Sequence, residues 1–185
     1  CVASADAPLK GVSYLLEAIA KLGAERDVSL TLVSKLDPDG PSAKLIDDLA
    51  IGDRVNVVSG LEDTELAGLL ASAQVACVPS LYEGFSLPAV EAMSCSTPLV
   101  ATRAGAIPEV VGDAGVIVPP RDSERLAQEI GRLLDDAALR EQVGAAGRAR
   151  VEESYSWAAV AAKTTAHYET VLARTGAGVK GKDQC

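Results

Sequence analysis

Aromatic side chains are scarce, 3% of the chain, with one Phe, one Trp and four Tyr. A core without rings must be filled by Ala, Val, Leu and Ile. Cysteine is limited to Cys1, Cys77, Cys95 and Cys185, and no two of them form a C-x-x-C pair. That spacing offers neither a disulfide framework nor a thiolate zinc site. Cys77 in an apolar run and Cys95 at a helix end read as small buried hydrophobes, and the chain reads as reduced and cytoplasmic. Histidine occurs once, at His167, among alanines and threonines of a helical pattern, so it has no partner for a metal or for acid–base work. Bases are outnumbered by acids, 17 to 26, giving a net charge of −9. This balance argues against wrapping nucleic acid or an anionic membrane surface, but not against one phosphate held locally by backbone N–H groups. No run of 18 apolar residues and no signal-peptide pattern occurs, so neither a membrane span nor secretion is expected. G-x-S-x-G and Walker spacings are also missing.

What is present is an alternation. The runs 28-VSLTLVS-34, 54-RVNVVS-59, 74-QVACVPS-80, 98-PLVAT-102 and 115-GVIVP-119 read as strands, and three are almost continuously apolar, as parallel strands covered on both faces are. Between them 12–23, 42–50, 62–72 and 88–95 carry helical periodicity. This predicts right-handed β-α-β crossovers and an α/β fold with a doubly wound, Rossmann-like parallel sheet. Helices are predicted over 122–136, 137–152 and 155–173, completing one domain over 1–173 with a loose Gly/Lys-rich tail at 174–185. The chain opens on Cys1, so a piece of something longer is expected, with a first strand of only Cys1–Ser4. Ligands of such sheets sit beyond the C-terminal strand ends, so the loops after Ser4, Ser34, Ser59, Pro79 and Thr102 are the ones to inspect.

One of those loops contains 83-EGFSLPAVE-91. Pro88 marks a helix start, because proline presets the helical φ and needs no N–H partner there. The preceding Gly84, Phe85, Ser86 and Leu87 then hold unpaired N–H groups at a positive dipole end, and Gly84 admits a ligand close to the backbone. Such a nest suits the oxygens of a sugar diphosphate. Glu83 can accept from sugar hydroxyls, and Glu91, about one turn into the helix, can accept from a pair such as those of a ribose. Spacing alone slightly favours the plainer reading, in which Glu83 is an ordinary loop residue and Glu91 a glutamate that steadies its helix by ~0.3–1 kcal/mol.

The stretch resembles the E-x7-E motif of the group-one retaining glycosyltransferases of GT-B architecture, the superfamily of glycogen and sucrose synthases and bacterial mannosyltransferases. The similarity extends along the chain in order. The segment 8-PLKGVSYLLEAIAKL-22 resembles the family's P-x-K-G segment and its helix. The segment 98-PLVATRAGAIPEVVGDAGVIVPPRD-122 resembles its P-V-V-A-T-x-x-G-G-x-P-E and G-x-L-V-P-P-x-D blocks, and 155-YSW-157 its aromatic-x-Trp. The resemblance implies the C-terminal, donor-binding half of a metal-independent hexosyltransferase that takes a nucleotide diphosphate sugar as donor substrate and no other cofactor. Lys10 is then the contact to the diphosphate and Glu83 the catalytic-site contact to the sugar. Gly84, Phe85, Ser86 and Leu87 supply backbone contacts, and Glu91 holds the ribose. It also implies a missing N-terminal acceptor domain, onto which the last helix would cross. Without that domain, the helix is expected to repack locally or to form a homodimer contact.

Three departures from the family pattern stand out: Ala5 where an arginine is usual, Ser34 and Ala106 where glycines are usual. Arg103, after the fifth strand, offers itself as a replacement cation, although a solvated arginine is the plainer reading. The run 37-DPD-39 imitates a metal-binding D-x-D, but its Pro/Gly surroundings read as a turn. Two rival readings remain at this stage, a non-catalytic nucleotide-binding or interaction module, and a sugar-nucleotide epimerase whose expected acid–base groups are hard to find here.

Overall fold

A computed structural model describes residues 1–175 of the chain. A 3-10 turn at Pro8–Lys10 precedes α1 (Val12–Gly23), β1 (Leu30–Val33), α2 (Pro41–Asp48), β2 (Val55–Val58), α3 (Asp63–Ser72) and β3 (Ala76–Val78). There follow α4 (Leu87–Ser94), β4 (Leu99–Thr102), α5 (Ile107–Val111), β5 (Val116–Val118), α6 (Ser123–Asp135), α7 (Ala137–Ser154) and α8 (Trp157–Thr175). Each strand predicted after Ser4 and each predicted helix is present at its place; β1, β2, β3 and β5 are shorter at both ends than their apolar runs, and β4 only at its start. The short α5, opened by Pro108 in I-P-E-V-V, lies where no helix was expected. Of the expected tail, Arg174 and Thr175 belong to α8, and the remainder lies outside the described residues.

All strand pairs are parallel, β1 with β2, and β3–β4–β5 in register Ala76↔Leu99 and Val100↔Val116. β4 shows how the layers form. Its four residues are all buried, and they alternate between two cores. Val100 packs with Leu15, Leu16, Ile19, Leu126, Ile130 and Leu133 of α1 and α6. Leu99 and Ala101 pack on the other side with Ala89, Ala92 and Met93 of α4 and with Ile107 and Val111 of α5. The apolar residues of α1 recur at Val12, Leu15, Leu16, Ile19 and Leu22, which turns one stripe of the helix into the core.

The expected single sheet is divided. Residues 1–4 make one bridge, Val2↔Val33, rather than a strand. Around it a parallel ladder has begun: the Cys1 amino group donates to the Thr31 carbonyl at 2.9 Å, and Val33 N–H to the Cys1 carbonyl at 2.9 Å. Beyond this stub a cleft of about 450 Å³ separates the edges of β1 and β3, lined by Val28, Leu30, Val75 and Cys77 among others. The Cys1 amino group is buried there, and burial holds its pKa below the ordinary value.

Of the cysteines, Cys77 is buried, and burial pushes its thiol up to about 11. Cys95 is only half-buried: it caps α4 and packs against the edge of the second core. The last helix does not repack onto the sheet, contrary to one of the two expectations: Trp157 is 89% exposed, and Val160 and Tyr168 are exposed as well. No helix of the described residues is long and apolar enough to cross a membrane.

Candidate functional site

Three loops, one after the Val2 bridge and two after β3 and β4, meet at one carboxylate. The first follows the Val2 stub. There Gly11, at φ +62°, lies so close to the Pro79 carbonyl that a Cβ would collide with it. Leu81 N–H donates to the Leu9 carbonyl at 2.8 Å, which joins this loop to the one after β3. The joint brings residues 73 apart together: the Lys10 Nζ donates to Glu83 Oε1 at 2.7 Å. The Ser80 hydroxyl donates to the same oxygen at 2.8 Å. The third loop follows β4. Thr102 Oγ1 donates to the Ser80 carbonyl, and Ala106 N–H donates to the Glu83 carbonyl at 2.9 Å.

From Glu83 the chain runs directly into α4. The helix begins at Leu87, with Pro88 in its second position, one residue earlier than the proline signal suggested. Ser86 takes the cap position at φ +83°, a left-handed backbone that serine rarely adopts, so its side chain makes no capping bond. Ser86 is buried and its Oγ has no hydrogen-bond partner among the described residues. The amides of Gly84, Phe85, Ser86 and Leu87 donate to no protein group in the described structure. Phe85 is half-exposed and leans on Tyr155, the residue that ends α7, with ring centroids 5.5 Å apart and planes at 78°. Tyr155 is fixed in turn by its hydroxyl, which donates to the Val110 carbonyl at 3.2 Å.

Glu91 lies one turn inside α4, past the first turn, so it does not serve the helix dipole at its strongest point. By the i, i+4 relation it shares a helix face with the exposed Leu87. Burial, reinforced by the Asp63 carboxylate at the start of α3, holds its pKa above the ordinary value. Of the expected residues, Lys10 and Glu83 are thus in direct contact, Gly84 to Leu87 form the approach to α4, and Glu91 stands beyond it.

The departures have local explanations. Ala5 is buried, with its N–H bonded to Ser34 Oγ at 2.9 Å and its carbonyl to Ser42 Oγ at 2.8 Å. Ser34 therefore uses its hydroxyl to fix the backbone at Ala5. Asp6 accepts from the Ser42 and Asp37 amides; burial alone would raise its pKa, but these bonds outweigh it and leave the pKa lowered. Asp37 closes its turn by accepting from Asp39 N–H at 3.0 Å, as the Pro/Gly-rich context indicated. Arg103 is exposed on the loop that holds the Glu83 backbone.

The arrangement presents one ammonium, a fixed carboxylate and a row of free amides at a helix start. It can receive a polyanion beside a polyhydroxylic group. Ser80, Thr102 and Gly105 were not singled out from the sequence. The signal available was their placement at the ends of β3 and β4, Thr102 closing β4 and Ser80 and Gly105 following β3 and β4, where ligands of such sheets sit.

Residues 1–136 match a protein family described as glycosyl transferases group 1. Similar curated proteins include an MMP alpha-(1->4)-mannosyltransferase of Mycolicibacterium hassiacum, 58% identical over 179 residues, which are 95% of this chain and 44% of that protein. A phosphatidyl-myo-inositol mannosyltransferase of Mycolicibacterium smegmatis is 35% identical over 95% of this chain and 45% of its own length. The chain thus spans under half the length of these relatives. Among solved structures, a sucrose-phosphate synthase of Thermosynechococcus elongatus matches with TM-score 0.79 at 34% identity, over 91% of this chain and 44% of that one. The Anabaena protein Alr3699/HepE, in complex with UDP and glucose, matches with TM-score 0.71 at 26% identity, over 82% and 42%.

Proposed function

This chain belongs to the group 1 glycosyltransferases and has the Rossmann-like architecture of the C-terminal half of GT-B enzymes, and from that premise we propose that it is the donor-binding half of a retaining, metal-independent hexosyltransferase. The whole enzyme moves a hexosyl group from a nucleotide diphosphate sugar to a hydroxyl acceptor. The acceptor is held by an N-terminal domain of the longer protein. The mannosyltransferase relatives favour a mannosyl group, and the UDP and glucose held by the Anabaena relative favour a nucleotide sugar as donor.

The observation that carries this reading is the Lys10 ammonium, 2.7 Å from the Glu83 carboxylate at the mouth of α4. In the reaction the bond from the sugar's anomeric carbon to the diphosphate oxygen breaks, and negative charge grows on the leaving phosphate. Lys10 and the free amides from Gly84 to Leu87 stabilise that charge in a site prepared before the reaction. Glu83 accepts from hydroxyls of the sugar and orients it. Glu91 accepts from the ribose pair. The acceptor oxygen attacks on the face the diphosphate leaves, and its proton passes to a leaving phosphate oxygen, so configuration is kept and no protein nucleophile is required. A second reading, a nucleotide-binding module without catalysis, is favoured by Ala5, whose buried side chain adds no cation to the diphosphate site.

The test is a thermal-shift and NMR titration panel of UDP, GDP and ADP with their glucose and mannose derivatives. At least one nucleotide pair stabilises the chain, and Lys10→Ala and Glu91→Ala each remove most of that shift. A panel in which no nucleotide binds, or in which both variants bind like the parent, overturns the assignment.

A further inference from the structure

The carboxylate of Glu83 is held unevenly. Lys10 Nζ and Ser80 Oγ both end on Oε1, at 2.7 and 2.8 Å, and Oε2 has no protein partner among the described residues. The two holds differ in kind. Lys10 is a flexible side chain, one-third exposed, and in the function proposed above its ammonium also faces the donor's diphosphate. When that ammonium turns to the phosphates, its grip on Oε1 weakens. Ser80 has no such second demand. It is 2% exposed, its Oγ–Cβ arm is one rotor long, and its carbonyl is pinned by the hydroxyl of Thr102, which is fully buried at the end of β4. A buried hydroxyl bonded to a carboxylate is also the stronger, charge-assisted kind of hydrogen bond.

We propose that Ser80 is the positioning residue of the donor-sugar site: with Thr102 behind it, it fixes Glu83 Oε1 independently of Lys10 and leaves Oε2 facing the sugar hydroxyls. The assignment rests on the reading of Glu83 as the sugar contact given above. It extends that reading by naming which oxygen is held, what holds it, and why the hold survives when the ammonium engages the diphosphate.

The consequence separates sugar from nucleotide. Ser80→Ala frees the Glu83 carboxylate without touching Lys10, the amides of Gly84 to Leu87, or Glu91. Affinity for GDP-mannose or UDP-glucose, whichever binds the parent chain, falls about tenfold, the size expected for losing one hydrogen bond to a charged group. Affinity for the corresponding GDP or UDP changes less than about twofold. Thr102→Val keeps the branched shape of the buried side chain and produces the same sugar-selective loss in smaller degree. Both are read by NMR titration, with unfolding midpoints recorded for each variant.

Equal loss of nucleotide and sugar nucleotide in Ser80→Ala points to a merely structural serine and overturns the proposal, as does no loss of either. A crystal structure of the Ser80→Ala chain provides the second arm. The Glu83 carboxylate is expected to leave its position or become multiply oriented, and an unmoved carboxylate overturns the proposal. If the parent chain binds no nucleotide at all, the functional reading fails while this second arm still decides whether Ser80 positions Glu83.

Discussion

Gly105 adopts φ +55° and lies against the Glu83 carbonyl, where an added Cβ would collide with the oxygen. Its neighbour Ala106 donates to that same carbonyl. A side chain at position 105 therefore meets two penalties at once, a left-handed backbone and a clash with main chain that has no flexible end to swing aside. Gly105→Ala is expected to destabilise the chain by about 2 kcal/mol or more and to displace Glu83. Gly84 has different surroundings: nothing lies within 4 Å of a Cβ built there. If its role is to let a ligand approach, Gly84→Ala should leave the urea midpoint within about 0.5 kcal/mol of the parent while weakening nucleotide binding. Urea unfolding with both midpoint and slope measured checks the pair. A midpoint for Gly105→Ala equal to that of the parent removes the claim that this glycine sets the Glu83 backbone.

At the level of elements, the divided sheet is the feature with the clearest consequence. The edges of β1 and β3 face one another across the cleft, and the stub at Cys1–Val2 already follows a parallel ladder along Thr31–Val33. An extended apolar segment joined ahead of Cys1 would continue that ladder, convert the buried amino group into a peptide N–H, and bury side chains on both faces. Four alternating valine and isoleucine residues placed there should raise the unfolding temperature by about 5 °C, corresponding to roughly 2 kcal/mol after ordering entropy is subtracted. A four-residue Gly/Ser extension is the control, and equal midpoints for the two extensions sink the idea. This also shows where the sequence was readable. The runs at 98–102 and 74–80 announced buried parallel strands because their central residues, Leu99–Thr102 and Ala76–Val78, are buried on both faces and alternate between two apolar cores. The E-G-F-S-L-P-A-V-E stretch announced a strand-to-helix loop because proline and glycine act locally. The split was not readable, because pairing depends on which edges meet in space. The Ser80–Thr102 bond spans 22 residues and the Lys10–Glu83 pair 73, and neither separation has a local signature. The left-handed Ser86 was hidden for a related reason: serine has no preference for that conformation, so only the surrounding fold enforces it.

For the molecule as a whole, the site and the stability of the fold are set against each other at Glu91. Glu91 is partly buried beside the Asp63 carboxylate, so its charged form is disfavoured in the folded state and its pKa lies above the ordinary 4.5. A carboxyl whose folded pKa is raised binds its proton more tightly folded than unfolded. Stability therefore falls as pH rises from about 4.5 through the folded value, and it remains lower above that window. Glu91→Gln removes the charge while keeping the shape. It should raise the unfolding midpoint at pH 7, and the gain should shrink at pH 4, where the parent glutamate is mostly protonated in both states. The same change takes away a carboxylate proposed to accept from the ribose, so nucleotide affinity should drop under the very conditions in which the fold gains. Denaturant midpoints at pH 4 and 7, with nucleotide titrations at pH 7, measure both sides. A variant more stable at pH 7 and weaker in binding fits a carboxylate kept for ligand contact at a cost to the fold. One that is no more stable at pH 7, or that gains equally at pH 4, shows that Glu91 is not under electrostatic strain, and the link between this helix face and the ribose then loses its energetic support.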